Sequence, residues 1–397
     1  MNLRNIKIIY RKELLDSLRD RRTLISMVLV PILMFPVMIL GVGIIMGLVI
    51  SKAVQKGSKV VIVGESFGES LASKIQEKEG VEVVEMENYE IALRKKEIQT
   101  VLVIPKYFEE SLARADSTEL RILYDEAELR SQMAERKLRE VILDYRDEVV
   151  SERMTSRGIE KNFLEPFVVT SVNLASKEKM GGMVMGLFLP YMVIILSLTG
   201  AMYPAVDMTA GEKERGTLET LMVSSASRKE MVLGKFTMVF TASVITALLS
   251  LLSLFATFAL GSSLTISILE DFPFSIQPLG FVTVFFMMIP LSAFFSSLLM
   301  MISIFAKSSK EANSYIHPLV FIIVLPAMVS FLPGVELNSL MAMIPIVNTS
   351  LVLKEVLMGT YHWGNIGLIF LFNFLFAALG LWGAIGLFEK ESVLFRV

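Results

Sequence analysis

Six long apolar runs constrain this chain more than any other feature. They fall at roughly 24–50, 182–206, 235–261, 280–306, 314–333 and 364–388. Each is close to the about 20 residues a helix needs to cross about 30 Å of hydrocarbon. Backbone polar groups at that depth have no water to bond, so each run is expected to be a helix. The chain therefore reads as a mainly α membrane protein of six transmembrane helices. Of its 397 residues 53% are hydrophobic, above the level usual in soluble domains, and the excess sits in these runs. The first run is too long for a signal-peptide core and no small-residue cleavage site follows it, so it is expected to be retained as span one.

Lysine and arginine in the connections set the expected orientation. The first segment carries Arg4, Lys7, Arg11, Lys12, Arg19, Arg21 and Arg22; the connection after span two carries Lys213, Arg215, Arg228 and Lys229; that after span four carries Lys307 and Lys310. The tail adds Lys390 and Arg396. On the other side, the 262–279 connection has Glu270 and Asp271 and no basic residue, and 334–363 has only Lys354. Both termini are thus expected in the cytoplasm, in a multi-pass protein of the plasma membrane.

Residues 1–23 place Leu3, Ile6, Ile9, Leu14 and Leu18 among basic residues at helical spacing, which suits a cytoplasmic amphipathic helix lying in the membrane interface before span one at 24–50. Residues 51–181 are of different material, dense in charge. β-Branched runs at 59–63, 81–84, 100–104 and 119–124 alternate with helical patterns at 66–79, 88–97 and 106–114, and a long charged helix follows at 127–157. This predicts an α/β domain inserted between spans one and two, extracytoplasmic by the charge rule. Residues 182–397 hold spans two to six. Within them, 334–363 is too apolar for an ordinary loop. Met341–Ile346 and Ser350–Met358 read as short helices around Pro345 and Asn348, in a re-entrant outer hairpin. Pro31, Pro36, Pro190, Pro204, Pro290 and Pro326 are expected to kink spans.

Chemistry is sparse. With no cysteine there is no disulfide, thiolate metal site or cysteine nucleophile. The net charge of −2 gives no sign of nucleic acid as a partner. The Walker pattern G-x-x-x-x-G-K-[ST] is absent, because Gly234-Lys235 lacks both the upstream glycine and the following hydroxyl. Any ATP and Mg would be bound by another polypeptide, and no cofactor is expected here. Glu109-Glu110-Ser111-Leu112-Ala113-Arg114 matches an element of intramembrane proteases, but it falls in the charged domain and reads as a solvated helix. Polar residues at membrane depth are functional candidates: Asn313, His317, Asn348, Glu355 and Asn373 are candidates for a translocation path, with Lys354 beside them. Asn348 and Glu355 offer oxygens suited to a hard cation; metal ligands are otherwise unassigned.

The most sharply specified segment is the cytoplasmic connection 207–234. Gly211 is expected to end the helix arriving from span two. Charges then alternate from Glu212 to Glu219, and Thr217–Met222 begins an amphipathic turn. Gly211-Glu212-Lys213-Glu214-Arg215-Gly216-Thr217-Leu218-Glu219-Thr220-Leu221, then Gly234-Lys235, resembles the signature of membrane subunits of type-2 ATP-binding-cassette exporters. The plan of the chain is similar too. Asn348-Thr349-Ser350-Leu351 with Lys354-Glu355, and the ending Phe388-Glu389-Lys390-Glu391-Ser392-Val393-Leu394-Phe395-Arg396, resemble the NatB-like sodium-efflux branch; Ser225 stands where the family often has proline. The resemblance implies a permease with no ATPase site of its own, a homodimer in a prokaryotic membrane, working with two copies of a separate ATPase subunit. It implies that Glu212, Glu214, Arg215 and Glu219 make polar contacts with that ATPase and that Leu218 and Leu221 are apolar anchors. Sodium is the cargo it implies. A hydrophobic or amphiphilic compound is the alternative cargo, and a membrane sensor or scaffold recruiting a cytoplasmic partner is the alternative of another class.

Overall fold

The computed structural model describes residues 2–55, 57–158, 177–263, 278–332 and 334–394. The chain divides into two compact units, Met1–Gly43 with Leu174–Val397, and Ile44–Asn173. The expected tail residues Phe395 and Arg396, and most of the 262–279 connection, lie outside the described residues.

The first unit is helical. Helix α1 (Leu3–Arg19) is followed by α2 (Arg21–Leu24), a π-helical turn at Ile25–Leu29 and α3 (Val30–Gln55). Asp20 makes the corner, its carboxylate accepting from the amides of Arg22 (3.3 Å) and Thr23 (2.9 Å). Further along the chain come α8 (Lys177–Val206), a second π-helical turn at Asp207–Gly211, α9 (Glu212–Glu214), α10 (Thr217–Met222) and α11 (Arg228–Ser263). Then follow α12 (Pro278–Phe305), α13 (Ser309–Ala327), α14 (Val347–Leu357), α15 (Trp363–Glu389) and α16 (Glu391–Leu394). Among the described residues, six helices are long and apolar enough to cross a membrane, starting at Arg21, Met185, Arg228, Pro278, Ser309 and Trp363. On α8, α11 and α12 more than half of the residues in the apolar stretch are buried, against 22% in each of the other three. A hydrocarbon solvent permits this inside-out economy, because a lipid-facing leucine is already in an apolar medium.

Two prolines of span one show how the bundle satisfies its backbone. Proline has no N–H, so Pro31 and Pro36 cannot bond the carbonyls four residues earlier, Met27 and Ile32. Both carbonyls lie within reach of hydroxyls of α11: Ser253 Oγ donates to Ile32 at 2.6 Å, and Thr246 Oγ1 shares its proton between Met27 at 3.1 Å and Ala242 of its own helix at 2.8 Å. Further in, Ser197, Ser243 and Ser292 join α8, α11 and α12, with Oγ–Oγ separations of 2.9 Å. All three are fully buried.

The 334–363 segment has a 3₁₀ turn at Met341–Met343 and then α14, buried on nearly every side. Its break falls at Pro345-Ile346 and not at Asn348, which is already in the first turn of α14. Ile346 carries φ +74°, a conformation that branched residues rarely adopt.

In the second unit, strands β1 (Ser58–Val63), β2 (Val81–Val83), β3 (Thr100–Val103) and β4 (Arg121–Tyr124) form a sheet in the order β2-β1-β3-β4. β1 runs parallel to β2 and β3, and β4 is antiparallel to β3. Helices α4 (Glu69–Glu77), α5 (Tyr89–Arg94), α6 (Phe108–Arg114) and α7 (Leu129–Ser156) occupy the connections and the end of the unit. Alternation along the strands gives the sheet two apolar faces. Val60 and Leu102 meet α4, α6 and α7 through Leu71, Ile75, Phe108 and Leu138; Val61 and Val101 meet Ala92 and Ile98. Glu110 and Arg114 form an exposed pair along α6 at 3.8 Å, as a solvated helix requires.

Candidate functional site

One end of the first unit collects the polar groups that the apolar helices exclude. The helix arriving from span two does not end at Gly211, whose φ is −65°. The π turn at Asp207–Gly211 carries it on through Glu214. The break comes at Gly216, where φ is +71°, a left-handed conformation that glycine adopts without strain. This placement turns Glu212 inward.

Lys235 is the centre of what it meets. Its ammonium is fully buried and lies 2.7 Å from Glu13 Oε1 and 2.7 Å from Glu212 Oε2. Lys12 closes the arrangement at the surface, 2.9 Å from Glu212 Oε1 and 3.2 Å from Glu13 Oε1. Two cations and two carboxylates leave the group neutral, the condition on which buried charge is tolerated. Burial alone would lower the pKa of Lys12; the Glu13 charge and the bond to Glu212 outweigh it and hold that ammonium above its ordinary value. Gly234 supplies the room: a Cβ there would lie 2.7 Å from Ile9 Cγ2, so only glycine lets α1 settle onto α11 at this height. The Gly234-Lys235 pair thus has a structural reason, one residue for approach and the next for the ion cluster.

Other ties complete a collar. Glu230 and Ser227 cap each other at the start of α11, the Ser227 amide donating to Glu230 Oε2 at 3.1 Å and the Glu230 amide to Ser227 Oγ at 3.3 Å. Glu230 also accepts from the amides of Asn2 and the Asn5 side chain. Lys213 donates to the carbonyls of Ile304, Ala306 and Val393, neutralising the carbonyl end of α12. Arg215 pairs with Asp207 at 2.7 Å, and Glu214 accepts from the Ser309 amide at 2.9 Å. Arg228 reaches the Glu389 carbonyl at 2.7 Å and Glu391 at 3.0 Å. The first helix, the connections after spans two and four, and the C-terminal residues of the FEKESVL motif therefore meet at one end of the bundle.

The six residues expected to grip a partner separate into two sets. Glu212 is inside the ion cluster, Leu218 is 3% exposed in the bundle core, and Leu221 is half-buried against it. Glu214, Arg215 and Glu219 are exposed. The exposed residues of α10 are Thr217, Glu219 and Thr220, and past its end Val223 is 88% exposed. Sequence reasoning missed Val223, and it missed Glu13. The signal for Glu13 was its place on the Ile6–Ile9 face of α1, where an acid has no business without a cation. The buried serines of α8, α11 and α12 were missed as well, having no feature beyond small polar side chains in apolar runs.

The five path candidates are not brought together as a set. Asn348 and Asn373 do meet, through Thr349. Asn348 Nδ2 donates to Asn373 Oδ1 (3.2 Å) and to the Ala342 carbonyl (3.0 Å), Asn373 Nδ2 to Thr349 Oγ1 (2.8 Å), and Thr349 Oγ1 to Asn348 Oδ1 (3.0 Å). This ring is fully buried and locks α14 to α15. Glu355 instead accepts from the Leu337 amide and pairs with His362, each at 3.2 Å. Asn313 bonds back to the Ser309 carbonyl within α13, and His317 is exposed on that helix. Lys354, 8% exposed, donates to the Leu332 carbonyl at 3.2 Å. Among the described residues no group of three or more histidines and acids is placed to hold a metal.

A bundle of apolar helices with a cross-tied polar collar at one end is the architecture of a multi-pass membrane protein. The family described as "ABC-2 family transporter protein" matches residues 21–385, and the chain belongs to it. It is also similar to the "ABC transporter permease protein NatB" of Bacillus subtilis (strain 168), with 27% identity over 357 residues, 88% of this chain and 89% of that one. The protein is thus a multi-pass permease subunit of an ATP-binding-cassette transporter, distinct from the ATPase, and membership implies a partner ATP-binding subunit.

Proposed function

We propose that the chain forms the translocation path of an ATP-driven exporter, as a homodimer with two ATPase subunits that bind ATP and Mg, and that the exported ion is Na⁺. The observation that carries the transport half of this reading is the collar. The 212–223 segment has an exposed tip, Glu219, Thr220 and Val223, and is tied on its inner side to α1, α11 and α12 through Glu212 and Lys213, with Leu218 in the bundle core. A push on that tip is carried to α11 by Lys235, to α1 by Glu13 and to α12 by Lys213. Direct contact with the ATPase falls to Glu214, Arg215, Glu219 and Val223, with Glu212, Leu218 and Leu221 as the internal anchors. Rim charges of this kind fix register and steer docking more than they add affinity. On this reading the collar end is cytoplasmic, which agrees with the lysines and arginines gathered there, and the α/β domain is extracytoplasmic.

Sodium rests on the NatB-like motifs, Asn348-Thr349-Ser350-Leu351 and the C-terminal FEKESVL. The first of these places buried neutral oxygens on α14, and Asn373 of α15 lies beside them. The test is a flux assay on the purified permease–ATPase complex in proteoliposomes, across Na⁺, K⁺ and amphiphiles. Sodium-stimulated hydrolysis with Na⁺ appearing on the far side is expected. Stimulation and transport by amphiphiles alone would refute the sodium reading.

A further inference from the structure

Helix α7 carries an apolar stripe that the sheet core uses only in part. Leu138 and Val141 are buried in that core. The helical period carries the stripe on through Ile142, Tyr145 and Val149, with Arg146 and Arg153 on the same side. Opposite stand Phe108 and Leu112 of α6 and the 116–120 connection to β4, whose Leu120 packs on the same core. The two walls do not close. Between them lies a cleft of about 320 Å³, within the about 300–1,000 Å³ usual for small-molecule sites. Its polar groups are few. Arg153 is half-buried, donates to the Leu112 carbonyl at 2.7 Å and enters no ion pair among the described residues. A guanidinium has five N–H donors, so most of them remain for a ligand. Arg146 is held by Asp147 at 2.6 Å. Thr118 adds a buried hydroxyl with no hydrogen-bond partner among the described residues. Asp116 is the one acid among the described lining residues, against two arginines.

We infer that this cleft binds a small amphiphilic carboxylate, its aliphatic body against Phe108, Leu112 and Ile142 and its carboxylate on the Arg153 guanidinium. The walls exclude the other classes of ligand. A neutral apolar molecule would take water from Arg153 and return no hydrogen bond, which is costly for a charged group. A cation would meet the two arginines. An arginine–carboxylate pair adds both strength and a fixed orientation, with the chain directed along the apolar stripe. The site lies wholly within residues 108–153, so it is independent of the collar and of which cargo is exported.

The test uses the full-length permease in lipid nanodiscs, which present both faces, with radiolabelled octanoate in equilibrium dialysis. Empty nanodiscs measure uptake by the lipid. A saturable excess over empty nanodiscs is expected, together with slower amide exchange over residues 108–120 and 142–153. Octanamide, the neutral analogue of the same length, should bind at least about tenfold more weakly, as loss of a hydrogen bond between charged groups implies. Arg153→Gln should weaken octanoate by a similar factor and leave octanamide unchanged, which also shows that the variant keeps its cleft. No excess over empty nanodiscs would overturn the proposal, as would octanoate and octanamide binding alike or protection confined to other segments. So would a 142–153 segment already protected without octanoate and indifferent to it, since protein would then fill the cleft. No arm measures transport or nucleotide hydrolysis, so failure here is distinct from failure of the sodium reading.

Discussion

Lys235 shows how much a single side chain decides in this molecule. Replacing it with methionine leaves the buried Glu13 and Glu212 carboxylates to share Lys12 as their one remaining cation, and removal of one member of such a buried group costs about 3–5 kcal/mol. The Lys235→Met permease should lose thermal stability in detergent by that order, and Glu13→Gln/Lys235→Met/Glu212→Gln should regain most of it. A triple variant no more stable than the single one would contradict the cluster's assignment. The pH behaviour follows from Lys12. Its pKa is raised in the folded protein, so its contribution is complete below the ordinary lysine value of about 10.4 and is lost only as pH rises through the raised one. Stability measured across the neutral to mildly alkaline range should therefore show no loss from this group. Glu212 was readable as important from its motif, while its direction was not. The partners that turn it inward are residues 13 and 235, the first two hundred positions away, and pairing over that distance leaves no periodic trace.

Elements were more legible than contacts. The strands, the long charged helix and all six spans follow from periodicity and run length, because hydrocarbon thickness and the pleat impose fixed periods. Two boundaries differ for local reasons. A π turn absorbs the expected stop at Gly211, and the break in 334–363 moves to Pro345-Ile346 because proline frees the chain and α14 restarts at once. Span one depends on α11 in a way that composition hides. Thr246→Val/Ser253→Ala strands the carbonyls that Pro31 and Pro36 leave open, at a cost of about 1–3 kcal/mol for each buried group, readable as a lowered unfolding temperature. Variants as stable as the parent would show that those carbonyls have other partners. Ile346→Gly sets two effects against each other: it relieves a positive φ worth about 1–3 kcal/mol but empties a buried core position at about 2–5 kcal/mol, so a net loss of stability is expected. A gain instead would show that backbone strain outweighs the packing of the isoleucine side chain.

For the whole molecule, the central claim is that force enters at the exposed tip of α10 and travels inward through buried charge. The family and the six spans were legible in the sequence because motifs and hydropathy are local; the collar was not, since it is assembled from both ends of the chain. The most direct measurement is nucleotide hydrolysis and transport by the reconstituted permease–ATPase complex carrying Glu219→Arg/Val223→Asp. Both positions are on the surface, so the isolated permease should keep its unfolding temperature. The account predicts an ATPase that hydrolyses at its free rate or fails to co-purify, with transport lost at least tenfold, about 1.4 kcal/mol in coupling terms. A complex that assembles, hydrolyses and transports like the parent would contradict it.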